Sequence, residues 1–335
     1  MMYLDMHCDT LMLAYQENKG DIGVFPQVSI DVARLRQAGA GAQFFAAWMP
    51  SRGNKAWWET YGVSLGREGE KTSPDDAYID ALWMILQGTL EKYPEDLAFA
   101  QTASRMREIV RQGKTAAFFS LEDGRSVEGS LEKLRKYHEK GVSLITLTWN
   151  HENCFGFPNS TDKGIMAQGL KPFGKEAVEY MNELGMVVDV SHLSDGGFWD
   201  VCDVSRKPFV ASHSNCRALS PHPRNLTDEM LRALAEKGGV TGLNFCSGFL
   251  SPDIQSRDSF LKDMVAQVCH MVNVGGLECT AIGTDFDGIE SRLEVKDPTQ
   301  MELLFEGLRK AGFSQDAVEK IAWKNAERVL YDITG

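Results

Sequence analysis

The chain has 335 residues, 43% of them hydrophobic and 24% charged, the balance of an ordinary soluble globular protein rather than a disordered or membrane-spanning one. Its formal net charge of -12, with no local basic patch to offset it, argues against a nucleic-acid partner. Seven cysteines, scattered and without a Cys-x-x-Cys pair, suggest neither a disulfide framework nor a thiolate metal site, and they fit a reducing compartment.

The N-terminal run Tyr3-Leu4-Asp5-Met6-His7-Cys8-Asp9 reads as a strand and is too charged for a secretory leader, so the protein is expected in the cytoplasm. Short apolar runs then alternate with longer stretches of helical period, the pattern of repeated βα units. Eight strand candidates follow in order, over 4–9, 42–49, 115–122, 143–149, 186–192, 208–213, 240–246 and 280–285. Most are nearly continuous apolar runs, as strands buried on both faces are.

Helices are expected over 130–140, 174–184, 227–237 and 257–274, with Gly141, Gly185 and Gly238 as C-terminal stops and Thr227 and Ser314 as N-caps. The segments 50–74 and 155–169 read as long loops that wall or cover a site. Nothing splits the chain, so one (β/α)8 TIM-type barrel is expected over 1–335.

Several apolar strand candidates end in a side chain that binds metals. The first ends in His7 and Asp9, the third in Glu122, the fifth in His192, the sixth in His213 and the eighth in Asp285. Parallel barrels keep their active sites at these C-terminal strand ends. Residues two apart in an extended strand share a side, so His7 and Asp9 can chelate one ion while Cys8 points away. Taken alone, that pair is equally well read as hydrogen-bonded, and a single buried histidine is more often structural than ligating. Five convergent positions change the balance.

Three imidazoles and two carboxylates suit zinc or a similar divalent ion, with Glu122 able to bridge two ions through its two oxygens. Such a pair supplies an activated water and polarises a carbonyl, which accounts for hydrolysis without a nucleophilic side chain. Asp285 is placed to move the proton, and with Glu122 it forms the expected catalytic pair. Its alternatives are a further ligand or a helix cap. Arg224, in a Pro-bracketed loop, has the planar guanidinium that holds a carboxylate, with Arg217 as its rival.

The chain resembles the membrane (renal) dipeptidases, peptidase family M19, over nearly its whole length. The motifs are Asp5-x-His7-x-Asp9, Glu122-Asp123-Gly124, Gly169-Leu170-x-x-Phe173-Gly174, Met181-Asn182-x-Leu184-Gly185, Asp189-Val190-Ser191-His192, Ser212-His213-Ser214 and Asp285-Phe286-Asp287-Gly288. The resemblance implies two zinc ions per chain, with His7 and Asp9 on one, His192 and His213 on the other and Glu122 between them. It further implies Asp285 as acid/base, Arg224 rather than Arg217 on the substrate's terminal carboxylate, dipeptide hydrolysis including L,D-dipeptides, and a homodimer. No membrane anchor is expected, since no hydrophobic tail follows Asp332-Ile333-Thr334-Gly335.

One departure stands out. Where well-known members carry a histidine that steadies the oxyanion, this chain reads Leu147-Thr148-Trp149-Asn150-His151. Asn150 and His151 are the substitute candidates for contact with substrate. Loss of an oxyanion donor costs about 3 kcal/mol, a slowing of about a hundredfold. The competing readings are a lactonase or deaminase barrel, disfavoured because no bridging lysine ends the fourth strand, and a catalytically weakened metal-binding barrel.

Overall fold

The computed structural model describes residues 1–61, 73–253 and 255–335. Eight parallel strands close into a ring: β1 (Leu4–Asp5), β2 (Ala42–Trp48), β3 (Thr115–Glu122), β4 (Val142–Thr146), β5 (Val187–Asp189), β6 (Val210–Ala211), β7 (Val240–Leu243) and β8 (Thr280–Ile282). Each pairs with its neighbours in chain order, and β8 closes on β1 at Asp5 and Ile282.

The ladders stop earlier than the apolar runs. His7, His192, His213 and Asp285 lie two or three residues past the last paired residue of β1, β5, β6 and β8, and only Glu122 is inside a strand. Hydrophobic period reports burial, and these turn residues are buried like the strands they follow. Asp9 is already the N-cap of the helix Thr10–Gln16, so its approach to His7 is a strand-to-helix turn and not the alternation of an extended strand. Cys8 does point away, its thiol donating to the Phe44 carbonyl at 3.3 Å.

A further strand, Leu97–Phe99, pairs with the first residues of β3 on the edge that β4 takes up only from Phe119 onward. Its three residues are too short to show a period.

Within the ring, period-two alternation sorts the side chains. Phe44 of β2 and Phe118 of β3 turn inward and stack at 4.4 Å, while Phe45 and Phe119 turn out to the helix layer. The inward cluster continues through Leu4, Leu144, Val187, Val210 and Val240 onto Trp323 and Leu330, so the C-terminal helix Asn325–Thr334 plugs the floor. The same alternation puts Ser120 and Glu122 above Phe118 on the inner face.

Around the barrel, Ser130 caps Leu131–Lys140, Thr227 caps Asp228–Glu236, and Ser314 caps Gln315–Glu319, each accepting from the backbone N–H three residues on. Gly141 and Gly185 stop their helices in the left-handed conformation. The helix expected from 257 begins at Leu261, because Asp258–Ser259 form a short parallel ribbon with Arg292–Leu293. Of the two segments read as loops, 50–74 contains the helix Lys55–Tyr61, and its residues 62–72 lie outside the described ones. The segment 155–169 contains only the short helix Lys163–Met166.

Candidate active site

Glu122 stands at the top of the inner face, 3% exposed, and its two oxygens look in different directions. Oε2 is 3.6 Å from His7 Nε2. Oε1 is 2.9 Å from His192 Nε2 and 3.5 Å from His213 Nε2. His7 Nε2 also lies 3.5 Å from Asp9 Oδ2 and 3.9 Å from Asp285 Oδ1. The five residues expected to ligate, together with Asp285, are thus gathered around one carboxylate from β1, β3, β5, β6 and β8.

Proton positions follow from the groups behind the rings. Asp189 accepts from the backbone N–H groups of Ser191 and Ser212 and, through Oδ2, from the hydroxyls of Thr146 and Ser212, both at 2.6 Å. With its proton on Asp189, Ser212 Oγ can only accept from His213 Nδ1, 2.7 Å away. The Nε2 lone pair of His213 therefore faces Glu122. His192 Nδ1 finds Asn150 Oδ1 at 3.2 Å, which directs its Nε2 lone pair the same way. The two Nε2 atoms are 3.1 Å apart.

Burial is the main reason His192 and His213 are held well below the ordinary histidine range, with Arg224 and His7 adding to it. Burial likewise raises Glu122 and Asp285, and the charge of Asp9 adds to both. Burial would also neutralise His7, but Glu122 and Asp9 outweigh it and raise its pKa. Lone pairs and carboxylates pressed together in a dry site call for a cation.

Three observations test that fit. Both ring nitrogens of His7 and Oδ1 of Asp9 are buried without a hydrogen-bond partner among the described residues. Ligand atoms of His7, Glu122 and His213, and separately of His7, Asp9 and Asp285, lie within 4.8 Å of one another. A Cβ on Gly288 would stand 2.0 Å from Asp9 Oδ2 and 2.6 Å from Asp285 Oδ1, so a glycine is needed for the carboxylates to converge. The donor set of imidazole and carboxylate suits a borderline divalent ion.

Two of these residues carry backbone strain. His192 and Asp285 have φ of 67° and 63°, in the left-handed region. At His192 the conformation is fixed by its carbonyl, which accepts from the backbone and side-chain N–H of Asn159 and from the Thr148 hydroxyl. The segment 155–169 thus buttresses a ligand candidate rather than walling the cavity. Such over-determined strain is typical of functional positions.

A cavity of about 390 Å³ opens over the cluster, lined by Glu122 and Asp285 and, further out, by Trp48, Trp149, Phe249 and Glu290. Arg224 lies beneath Phe249, 5% exposed, with its guanidinium 5.3 Å from that ring. Two of its five N–H groups donate to Ser214 Oγ and the His213 carbonyl, which leaves three without an acceptor among the described residues. Arg217 has four of its five N–H groups engaged, two on Asp195 and one each on the carbonyls of Asn225 and Pro223. Asn150 lines the cavity but faces His192. His151 is exposed and outside the lining, its ring 6.1 Å from Trp149.

The sequence pattern of the membrane dipeptidases, peptidase family M19, matches residues 1–334. The chain belongs to this family. It is a family of hydrolases acting on peptide bonds. Over 307 residues the chain is 30% identical to the dipeptidase tcpJ of Claviceps purpurea, covering 91% of this chain and 69% of that protein. It is 35% identical over 266 residues to an uncharacterized protein of the pqqA 5' region in Klebsiella pneumoniae, covering 76% and 97%. A metallopeptidase from Rhodobacter sphaeroides, solved with a phosphinate mimic of the dipeptide L-Ala-D-Ala, superposes with a TM-score of 0.86 at 26% identity over 99% of each chain.

Sequence reasoning left β2 and β7 without a functional residue, and both contribute one. Asn244, just past β7, donates to Asp285 Oδ2 at 2.8 Å and to the His213 carbonyl at 3.1 Å. The signal was present, since Asn244 is the one carboxamide in the largely apolar run 240–246. Trp48 ends β2 and lines the cavity. An aromatic side chain at a strand end gives no such signal.

Proposed function

We propose that the chain is a zinc-dependent dipeptidase that holds two ions, His7 and Asp9 serving one, His192 and His213 the other, with Glu122 bridging. The observation that carries this reading is the opposed aim of the two Glu122 oxygens, one toward His7 and one toward His192 and His213. Bound there, the pair would supply an activated water and polarise the scissile carbonyl.

The residues of the chain do the rest. Asn244 holds Asp285 Oδ2, which leaves Oδ1 facing the cluster to take a proton and return it to the leaving amine. Burial keeps Asp285 above the ordinary carboxylate range, as an acid/base group requires. Arg224 meets the substrate's terminal carboxylate with its three free N–H groups. The likeness to the Rhodobacter protein supports including L,D-dipeptides.

The test is a panel of L,L and L,D dipeptides offered to protein stripped of metal and reloaded with zinc, with released amino acids and bound zinc both measured. Two zinc ions per chain and release of free amino acids are expected. Full zinc loading with no hydrolysis anywhere in the panel would overturn the reading in favour of a metal-binding barrel without turnover.

A further inference from the structure

We infer that Trp48 and Trp149 form the subsite for the substrate's N-terminal side chain and select dipeptides that carry a large apolar or aromatic residue there. This rests on the dipeptidase reading above and adds a substrate class to it.

The order of strands around the ring places Arg224, buried beneath the lining residue Phe249, and the two indoles on opposite sides of the site. Arg224 and Phe249 belong to the turns after β6 and β7. Trp48 ends β2 and Trp149 follows β4, so the two indoles straddle β3 and Glu122 on the other side of the barrel. A dipeptide spans roughly 7 Å at 3.3–3.6 Å per residue. With its carboxylate on Arg224 and its scissile carbonyl beside Glu122, the chain direction carries the N-terminal residue past Glu122 to the indoles.

The wall is built before any ligand arrives. Trp149 meets Trp48 edge-on at 5.2 Å and 86°, and Trp48 is backed by Trp57 at 6.2 Å and 79°. Trp57 in turn packs edge-on against Tyr78 at 5.3 Å. Both cavity-facing indoles are only half-buried, so they retain apolar area for a ligand to cover. Edge-to-face aromatic geometry and apolar burial reward a flat or bulky side chain and offer nothing to glycine. The competing feature is Glu290, an exposed carboxylate on the rim after β8, which would favour a basic residue instead.

The experiment measures kcat/KM of the zinc-loaded enzyme on two series, Xaa-Ala and Ala-Xaa, with Xaa as Gly, Leu, Phe and Lys. In the first series Phe-Ala is expected to exceed Gly-Ala by about tenfold or more, the usual yield of a hydrophobic pocket, with a shallower gradient in the second. In Trp149→Ala the Phe-Ala to Gly-Ala ratio should fall about tenfold, and Trp149→Phe should keep most of it. The ratio is read within one preparation, so partial loss of folded enzyme cancels. A flat Xaa-Ala series, a preference for Lys-Ala, or an unchanged ratio in Trp149→Ala overturns the subsite alone. No hydrolysis in either series removes the dipeptidase reading and the subsite with it.

Discussion

Replacing Ser212 by alanine tests how His213 is prepared for a metal. The Ser212 hydroxyl lies 2.6 Å from Asp189 Oδ2 and 2.7 Å from His213 Nδ1, and all three residues are buried. Without it, the His213 Nδ1–H loses its acceptor at a cost of about 1–3 kcal/mol, or the proton moves to Nε2 and removes the lone pair that faces Glu122. Outer partners of this kind are typically worth about 10–100-fold in metal affinity. Thr146→Val is the matched control. It deletes another 2.6 Å bond to the same Asp189 oxygen without touching His213. Both variants should lose about 1–3 kcal/mol in unfolding of the metal-free protein. Only Ser212→Ala should weaken zinc in competition against a chromophoric chelator. Equal zinc affinity in the two variants would refute the relay from Asp189 to His213.

Three further outcomes are expected. Asp285→Asn should lower kcat by about 10²–10⁴-fold at unchanged zinc content, measured by steady-state turnover and metal analysis, since it removes the proposed proton carrier and leaves Glu122 and the histidines in place. Gly288→Ala should cost bound metal and turnover together, because the new methyl would occupy space that Asp9 and Asp285 need; full zinc content in this variant would count against the convergence of those carboxylates. His222, which accepts from the Arg224 backbone N–H at 3.1 Å, is pushed down to about 4 by burial, with Arg224 and Arg217 adding to it. A depressed histidine contributes stability that is complete above its unfolded value of 6.5 and is lost as pH falls toward 4. The melting temperature should therefore drop more steeply over that window in the wild type than in His222→Gln, and parallel curves would contradict it.

How much of this was legible depended on what each residue does. Glu122, His192, His213 and Asp285 were readable because a ligand-type side chain closing an apolar run is conspicuous, whatever the local backbone. The backbone itself was less so. The left-handed turns at His192 and Asp285 lie inside runs that look like strand, and only the hydrogen bonds from Asn159 and Thr148 explain why β5 stops at Asp189. Arg224 and Arg217 were indistinguishable by spacing. What separates them is Asp195, on the helix Asp195–Val204, which accepts twice from Arg217, whereas Arg224 donates to Ser214 Oγ and the His213 carbonyl. The Asp189 to Ser212 contact depends on the register between β5 and β6, and the aromatic wall depends on the ring order of β2 and β4. Neither is a local property of the chain.

The stacked Phe44 and Phe118 and the C-terminal helix below them make the reaction chamber a blind pocket. On the proposed reading, everything that enters must leave by the same opening. The amino acid anchored on Arg224 lies deep under Phe249, whereas its partner rests against the outer tryptophans. Departure is therefore ordered, with the amino-terminal product first and the carboxyl-terminal product last. Accumulated carboxyl-terminal product then competes with fresh dipeptide for the same anchor, so the closed floor gives the enzyme a built-in sensitivity to one of its two products.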